Sequence, residues 1–390
     1  MSAGRFAVDA LVEQACELAG TDDFGEPDGW RDDLALLTDG LVNEAYLSEL
    51  GVEIAVMDLV GPLANRLRIT QWRMENPAIA TAPIERPIFI VGQPRTGTTI
   101  LFDLLAQDPD LRPPLTWEVD APWPVPRPET YDTDPRIAQI QSNLEMSELI
   151  VPGLLAHHPM GALLPQECVR IWAGQFCSMI FPVQYRLPAY SKWLLYDADH
   201  TNAYKYHRIF LQHLQSGIGG QWLLKSPAHL WQLDTLVGEY PDAVIVQTHR
   251  DPLNVISSIA SLTDHVRRMA SEHRDIQECA QQCCEEIVVG LDRSMTVRDS
   301  GVLAPGQLID VQFADFIADP FATIRLLYDA LGRELTPVAE QRMRDYLTAH
   351  PGDGGGARYT WSDTGLDADA VREQVSAYQD RFGVPTEALK

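Results

Sequence analysis

The sequence lacks an excess of positive charge. Its 390 residues include 30 lysines and arginines against 55 aspartates and glutamates, which gives a formal net charge of −25 at pH 7. Proteins that bind nucleic acid use surplus lysine and arginine to neutralise phosphates. We therefore expect no nucleic acid among the partners of this protein. A few local basic side chains can still hold a small anionic ligand.

Paired cysteines and long apolar runs are also missing. The six cysteines form no Cys-x-x-Cys pair and have no histidine-rich neighbours, so we expect no zinc site. No apolar run reaches the ~18 residues that a membrane-spanning helix needs. Residues 1–20 lack the basic segment and apolar core of a secretory signal. These absences predict a cytoplasmic protein without a membrane span.

Short apolar runs suggest a sheet in the second part of the chain. Runs rich in β-branched residues predict buried strands at 87–91, 243–247 and 307–311. A helical pattern of leucines follows residue 99 and lies between the first two strands. Because strands that alternate with helices form parallel sheets, the sequence predicts a mainly parallel α/β architecture.

Two other segments are predicted to be helical. Residues 8–78 carry apolar side chains near helical spacing, so residues 1–86 are expected to form a helical N-terminal extension. An α/β domain would then occupy residues 87–390. Within it, residues from about 120 to 220 hold ten prolines and many aromatic residues. This stretch predicts an irregular, mainly helical insertion.

A glycine-containing loop joins the first predicted strand to its helix, with the sequence Gly92-Gln-Pro-Arg-Thr-Gly-Thr-Thr99. Unpaired N–H groups at a helix N-terminus, together with the helix dipole, favour a bound anion at such a loop. In the nucleotide-binding pattern G-x-x-x-x-G-K-[ST] a lysine contacts the β- and γ-phosphates. Here Thr98 stands at that position, and the basic residue of the loop is Arg95. The loop therefore predicts a phosphate site that differs from that of kinases and ATPases.

A second candidate anion site follows the strand at 243–247. His249-Arg-Asp251 is similar to a kinase catalytic motif, but Ile256 stands where a kinase has asparagine. Arg250 is expected at the carboxyl edge of the sheet, where ligands of α/β proteins bind. Ser258 is expected two turns into the next helix. The pair suits a second phosphate, while a surface ion pair between Arg250 and Asp251 is the simpler alternative.

Together these motifs resemble the sulfotransferases that use 3′-phosphoadenosine-5′-phosphosulfate (PAPS). Pro94-Arg-Thr-Gly-Thr-Thr99 is similar to their 5′-phosphosulfate loop, and Arg250 and Ser258 match their 3′-phosphate pair in residue type and spacing. The stretches 222–229 and 246–252 resemble the bacterial branch related to the tyrosylprotein-type enzymes. The resemblance covers about residues 86–384. It implies a P-loop-like parallel sheet flanked by helices.

The resemblance also implies roles for individual residues. It assigns Arg95, Thr96, Gly97, Thr98 and Thr99 to the 5′-phosphosulfate, and Arg250 and Ser258 to the 3′-phosphate. Arg358 takes the place of the family's C-terminal basic motif, by analogy with bacterial relatives only. The implied co-substrate is PAPS, the implied product is the 3′,5′-bisphosphate PAP, and the scheme needs no metal ion.

Catalysis requires a cation at the leaving oxygen and a general base. Lys225 stands at the family's lysine position. Two residues compete as the base: Glu118, near the catalytic glutamate of related enzymes, and His229, whose unperturbed pKa of about 6.5 lies closer to neutrality. Other acidic residues, such as Glu167, stay open as alternatives.

The composition also bears on the acceptor and on rival functions. The aromatic insertion and the negative net charge favour a small lipophilic or aromatic alcohol as acceptor. The rivals are a P-loop-type kinase with an altered lysine, and a non-catalytic scaffold that binds nucleotide or lipid. The oligomeric state is not predicted by the sequence.

Overall fold

The computed structural model describes residues 3–154, 160–350 and 360–389. The strands are β1 Ile88–Gly92, β2 Leu111–Arg112, β3 Gln221–Lys225, β4 Val244–His249 and β5 Leu308–Gln312. The helices are α1 Val8–Ala19, α2 Trp30–Asn43, α3 Glu49–Glu75, α4 Thr98–Leu105, α5 Thr116–Asp120, α6 Pro135–Ile150, α7 Cys168–Trp172, α8 Ile180–Gln184, α9 Pro188–Tyr196, α10 Thr201–Gln215, α11 Leu233–Glu239, α12 Pro252–Val266, α13 Ile276–Asp299, α14 Phe313–Ala318, α15 Pro320–Leu331, α16 Pro337–Ala349 and α17 Ala368–Phe382.

The five strands form one parallel sheet in the order β2-β3-β1-β4-β5. Phe89 at the centre of β1 lies opposite Leu224 of β3 and Ile245 of β4. The three strands predicted from the sequence are confirmed to within two residues. Strands β2 and β3 were not predicted. The predicted parallel α/β architecture is confirmed.

The sheet is held by apolar side chains on both faces. On one face Ile88 and Ile90 of β1 join a buried cluster with Leu101 and Leu104 of α4 and with Leu327 of α15. Burial of one such side chain contributes roughly 1.5–3 kcal/mol relative to leaving it in water. This packing explains why the strands are continuous apolar runs, as parallel sheets covered on both faces require.

The chain divides into two compact units. The sheet unit comprises residues 85–113, 220–262 and 275–390, and the helical unit comprises residues 1–84, 114–219 and 263–274. The N-terminal extension and the insertion are helical, as predicted. Among the described residues, none of the helices combines the length and the apolar character needed to cross a bilayer.

Arg66 of α3 lies in the interior of the helical unit and is 1% exposed. Its Nε donates to the carbonyl oxygen of Phe24 at 2.9 Å, and its Nη1 donates to Oε1 of Gln175 at 2.9 Å. Burial lowers the pKa of this guanidinium. Because a buried charge is tolerated only when its donors are satisfied, these bonds fix the N-terminal segment and residues of the insertion around α3.

Candidate active site

The loop between β1 and α4 is shaped by residues with positive φ. Gly92 has φ 132°, Arg95 has φ 64° and Gly97 has φ 82°. A Cβ at position 97 would lie 2.9 Å from Cδ2 of Phe313, so both the backbone angle and the space require glycine there. A non-glycine residue with positive φ costs of order 1–3 kcal/mol and persists mainly at functional sites. Arg95 is therefore held in a strained position at the start of a helix.

Two buried threonines tie this loop to the sheet. The hydroxyl of Thr96 donates to the carbonyl oxygen of Gln93 at 2.6 Å, and it lies 2.6 Å from the hydroxyl of Thr248 at the end of β4. The hydroxyl of Thr96 is thus hydrogen-bonded within the protein. The amide of Gln93 is different: the residue is 1% exposed, yet neither Oε1 nor Nε2 has a hydrogen-bond partner among the described residues. A polar group from a bound ligand would satisfy it.

The two predicted phosphate-binding segments lie side by side. Nε of Arg95 donates to Oγ of Ser258 at 3.0 Å. Nη1 of Arg250 donates to the carbonyl oxygen of Arg95 at 2.9 Å. The loop after β1, Arg250 at the end of β4 and Ser258 in α12 therefore form one hydrogen-bonded cluster with two guanidinium groups. Such a cluster suits a ligand with more than one anionic group.

Arg250 and Asp251 do not pair with each other as the simpler alternative supposed. The Arg250 guanidinium pairs with the carboxylate of Glu387, while Asp251 pairs with Arg372 at 2.6 Å. Asp251 also accepts the N–H of Leu253 at 3.1 Å, which is the contact of a helix N-cap. The surface ion pair between Arg250 and Asp251, offered as the simpler alternative, was therefore wrong.

Lys225 lies at the carboxyl end of β3 and is 1% exposed. Its Nζ donates to Oγ1 of Thr99, in the first turn of α4, at 3.0 Å. The ammonium group of Lys225 therefore lies at the N-terminus of the helix that follows the loop. A lysine placed there can meet negative charge on a ligand held by the loop.

His229 lies in the short 3₁₀ segment Pro227–Trp231 and is fully buried. Its ring packs edge-on against Phe89 of β1, with 4.9 Å between ring centroids. Aromatic rings favour this edge-to-face arrangement in protein interiors. His229 is therefore packed against the central strand of the sheet.

Glu118 belongs to the helical unit, in α5, and is fully buried. Its Oε2 accepts the N–H of Leu115 at 3.0 Å and the hydroxyl of Tyr131 at 2.9 Å. The first bond is that of a helix capping residue reaching back over the first turn. Tyr131 was not singled out from the sequence, because nothing local marks a partner 13 residues away. Glu167 immediately precedes α7 and is half-buried.

A hydrogen-bonded network surrounds the buried side chain of His249, the residue before Arg250. Ring nitrogens of His249 lie 2.8 Å from the hydroxyl of Tyr378 and 2.7 Å from Oδ1 of Asp310, which also pairs with Arg298. Burial lowers the pKa of His249. Burial alone would raise the pKa of Asp310, but hydrogen bonds from His249 and Arg298 outweigh it and hold that pKa below its usual range. The contacts with Asp310 and Tyr378 together hold the His249 ring in place.

Two other expectations concern Arg358 and metal ions. Arg358 lies outside the described residues. Within residues 3–154, 160–350 and 360–389, no group of three or more histidine, cysteine, aspartate or glutamate side chains is arranged to hold a metal ion.

Comparisons with known proteins agree with this architecture. The profile of the sulfotransferase family matches residues 87–337. The crystal structure of sulfotransferase STF9 from Mycobacterium avium is 28% identical, covers 97% of each chain and superposes with a TM-score of 0.87. That of sulfotransferase STF1 from Mycobacterium tuberculosis is 31% identical, covers 95% of this chain and 98% of its own, and has a TM-score of 0.83.

The name of one similar protein also specifies its acceptor. Omega-hydroxy-beta-dihydromenaquinone-9 sulfotransferase Stf3 of Mycobacterium bovis is 27% identical over 288 residues, which is 69% of each chain. The resemblance read from the loop, from Arg250 and from Ser258 is confirmed by a family match over most of the sheet unit and by two solved structures. The chain belongs to the sulfotransferase family.

Proposed function

We propose that this sulfotransferase takes its sulfuryl group from PAPS and transfers it to the hydroxyl of a small lipophilic alcohol. The choice of PAPS as sulfuryl donor rests on one cluster, in which Arg95 contacts Ser258 and Arg250 contacts the loop. PAPS has a 5′-phosphosulfate and a 3′-phosphate on one ribose, so it needs two neighbouring anion sites. The loop with Thr98 and Thr99 would hold the first group, and Arg250 with Ser258 the second. The buried amide of Gln93 offers a further polar contact.

The reaction is an in-line displacement at sulfur. The acceptor oxygen forms a bond to sulfur while the bond between sulfur and the bridging phosphate oxygen breaks, and PAP leaves with the bonding electrons. Lys225, which contacts Thr99 at the loop, would stabilise the negative charge that develops on the leaving oxygen. A general base takes the proton that the acceptor hydroxyl loses.

Glu118 is our proposed base, with His229 as the alternative. The carboxylate of Glu118 is buried and held by two donors, so its position is fixed before a substrate arrives. The ring of His229 is packed against Phe89, which favours a structural contribution. The resemblance to enzymes with a glutamate near this position supports the same choice.

The acceptor class rests on the relative more than on the aromatic insertion. Five aromatic residues of the insertion are buried in the interior of the helical unit, namely Trp172, Phe176, Phe181, Tyr185 and Tyr190. Tyr196 is exposed. The Mycobacterium bovis relative, whose name describes an apolar quinone-derived alcohol, supports a lipophilic acceptor for this chain.

Nucleotide binding tests the proposal directly. PAP is expected to raise the thermal midpoint without divalent metal, and ATP with Mg²⁺ to do so much less. Arg250→Ala should cost roughly 2–5 kcal/mol of PAP binding free energy, since it removes one partner of a charge pair. Arg325→Ala, which removes an exposed arginine paired with Glu340, serves as the matched control. Equal PAP affinity in the Arg250 variant, measured by calorimetry, would overturn the 3′-phosphate assignment.

Two further outcomes separate the rivals. Stabilisation by ATP and Mg²⁺ rather than PAP would indicate a P-loop-type kinase. PAP binding without loss of sulfate from PAPS, across a panel of acceptors, would indicate a scaffold that binds nucleotide without turnover.

A further inference from the structure

Arg250, which we propose binds the 3′-phosphate, is paired with a carboxylate of the protein itself. Nε and Nη2 of Arg250 each donate to an oxygen of Glu387, both at 2.9 Å. The third guanidinium nitrogen, Nη1, donates to the carbonyl oxygen of Arg95. All three nitrogens are thus engaged. A phosphate that binds Arg250 through the same two nitrogens must first displace Glu387.

The segment that bears Glu387 is anchored through its backbone. The N–H of Glu387 donates to Oδ2 of Asp251 at 2.7 Å, and Nδ2 of Asn254 donates to the carbonyl oxygen of Ala388 at 3.3 Å. Asp251 is fully buried and is also held by Arg372. Backbone contacts of its segment therefore place Glu387 beside Arg250, and these contacts do not depend on its carboxylate.

The chemistry of the pair matches that of the proposed ligand. A carboxylate and a phosphate both accept two parallel N–H bonds from a guanidinium. Arg250 also lies over the ring of Phe313, 4.3 Å from its centroid, so its orientation is fixed by packing as well as by charge. The pair is partly shielded, with side-chain exposures of 20% and 32%. Two anions on one guanidinium would repel each other in this setting.

We propose that Glu387 is an internal competitor at the 3′-phosphate site. Its carboxylate takes the place of the 3′-phosphate on Arg250, and the phosphate of an incoming nucleotide displaces it. This inference rests on the proposed role of Arg250. Glu387 thereby lowers the affinity for nucleotides that carry a 3′-phosphate, including the product PAP, and leaves nucleotides without one unaffected.

The proposal predicts a gain of affinity from a single substitution. Glu387→Gln keeps the size of the side chain and removes its charge, so PAP should bind more tightly. If the carboxylate occupies Arg250 nine times in ten, the gain is about tenfold. Adenosine 5′-monophosphate, which has a 3′-hydroxyl, should bind both proteins equally. Glu373→Gln, at an exposed position of α17, is the matched control and should behave as the unsubstituted protein.

Calorimetric titration of PAP and adenosine 5′-monophosphate into the four proteins, unsubstituted, E387Q, E373Q and R250A, decides the matter. Weaker or unchanged PAP binding in E387Q overturns the proposal. Unchanged binding would mean that the carboxylate does not compete with the phosphate, and weaker binding would mean that Glu387 positions Arg250 for the nucleotide. Should E387Q fold poorly, Glu387→Ala replaces it in the same comparison.

The Arg250 variants separate this inference from the function on which it rests. Unchanged PAP affinity in R250A contradicts the 3′-phosphate assignment itself. Lowered affinity in R250A, with no gain in E387Q, contradicts only the role of Glu387. The double variant R250A/E387Q should show no gain over R250A, since the carboxylate then has no arginine to occupy.

Discussion

Lys225 places a positive charge at the buried carboxyl end of β3, where its Nζ contacts the hydroxyl of Thr99. The resemblance assigns Lys225 to the family's lysine position, and its role at the leaving oxygen stays a prediction. The resemblance assigned Arg95 and Ser258 to different phosphates of one nucleotide, and the hydrogen bond between the two side chains was not predicted.

The first catalytic prediction concerns Lys225 and Glu118. Lys225→Ala should lower kcat and leave PAP affinity largely intact, because its charge is needed mainly when the leaving oxygen becomes negative. Glu118→Gln should lower kcat by about 10²–10⁴, the usual effect of losing a positioned base. Steady-state rates with a fixed acceptor and calorimetry with PAP measure the two effects separately.

Two controls make this prediction specific. Lys192→Ala removes an exposed lysine of α9 and should leave kcat unchanged. His229→Ala tests the alternative base. Near-normal turnover in Glu118→Gln together with a large loss in His229→Ala would reverse the roles proposed for the two residues.

Other residues of the site had no signal in the sequence. Glu387 lies 137 residues from Arg250, and no local pattern joins them. The chain after α17, residues 383–390, contains no recognisable motif. Gln93 was part of the quoted loop, but only its burial without a hydrogen-bond partner among the described residues distinguishes it. Contacts of this kind depend on the tertiary fold.

At the scale of elements, the strands that were missed are those with weak local signals. β3 has the sequence Gln-Trp-Leu-Leu-Lys, which contains no β-branched residue, and β2 has only two residues. A short apolar run of this kind is compatible with either a helix or a strand. β1 and β4 were predicted because isoleucine and valine dominate both of them.

Helix α10 makes the helical unit sensitive to acid. Burial lowers the pKa of His207 to about 3 and that of His213 to about 4. Both values lie below the ordinary pKa of about 6.5, so between these limits the unfolded chain binds more protons than the folded protein. We therefore expect the stability that depends on these two neutral histidines to be fully present above about pH 6.5. It is lost progressively as the pH falls towards 4 and then 3, and the loss at pH 5 is roughly 2 kcal/mol for each histidine.

A substitution in α10 checks this pH dependence. Nε2 of His213 lies 3.0 Å from the carbonyl oxygen of Pro122, and a glutamine amide can donate in its place. His213→Gln should reduce the difference in unfolding free energy between pH 7.5 and pH 5, measured by urea unfolding. An equal difference in the variant and the unsubstituted protein would contradict the assignment, whatever the variant's stability at pH 7.5.

At the scale of the whole molecule, the sequence predicted the class of fold and the family. The strand, loop and helix around Gly97 and the strand before Arg250 were enough to indicate a parallel sheet with its site at one edge. Local sequence patterns could not predict which segments of the chain form the helical unit. It is specified by contacts such as those of Arg66 with Phe24 and Gln175, which lie 42 and 109 residues away along the chain.

The net charge of −25 bears on the choice of acceptor. An acidic protein repels polyanions, so a neutral acceptor is easier to attract than a polyanionic one. We expect sulfation of apolar alcohols, such as long-chain or quinone-derived hydroxyls, in preference to sugars. Competition assays with acceptors matched in concentration measure the preference. Efficient sulfation of a free sugar, with no activity on an apolar alcohol, would show the expected acceptor class to be wrong.

The strand order has a consequence for how the chain is made. Both neighbours of β1 come from later in the sequence, since β3 begins at Gln221 and β4 at Val244. A nascent chain that has released β1 from the ribosome therefore carries an apolar strand with two unpaired edges until about 130 more residues have followed. At 5–20 residues per second this interval lasts roughly 6–26 s. Through that time the unpaired edges of the central strand are open to aggregation, and the strand pairs only when the segment that carries Lys225 has been synthesised.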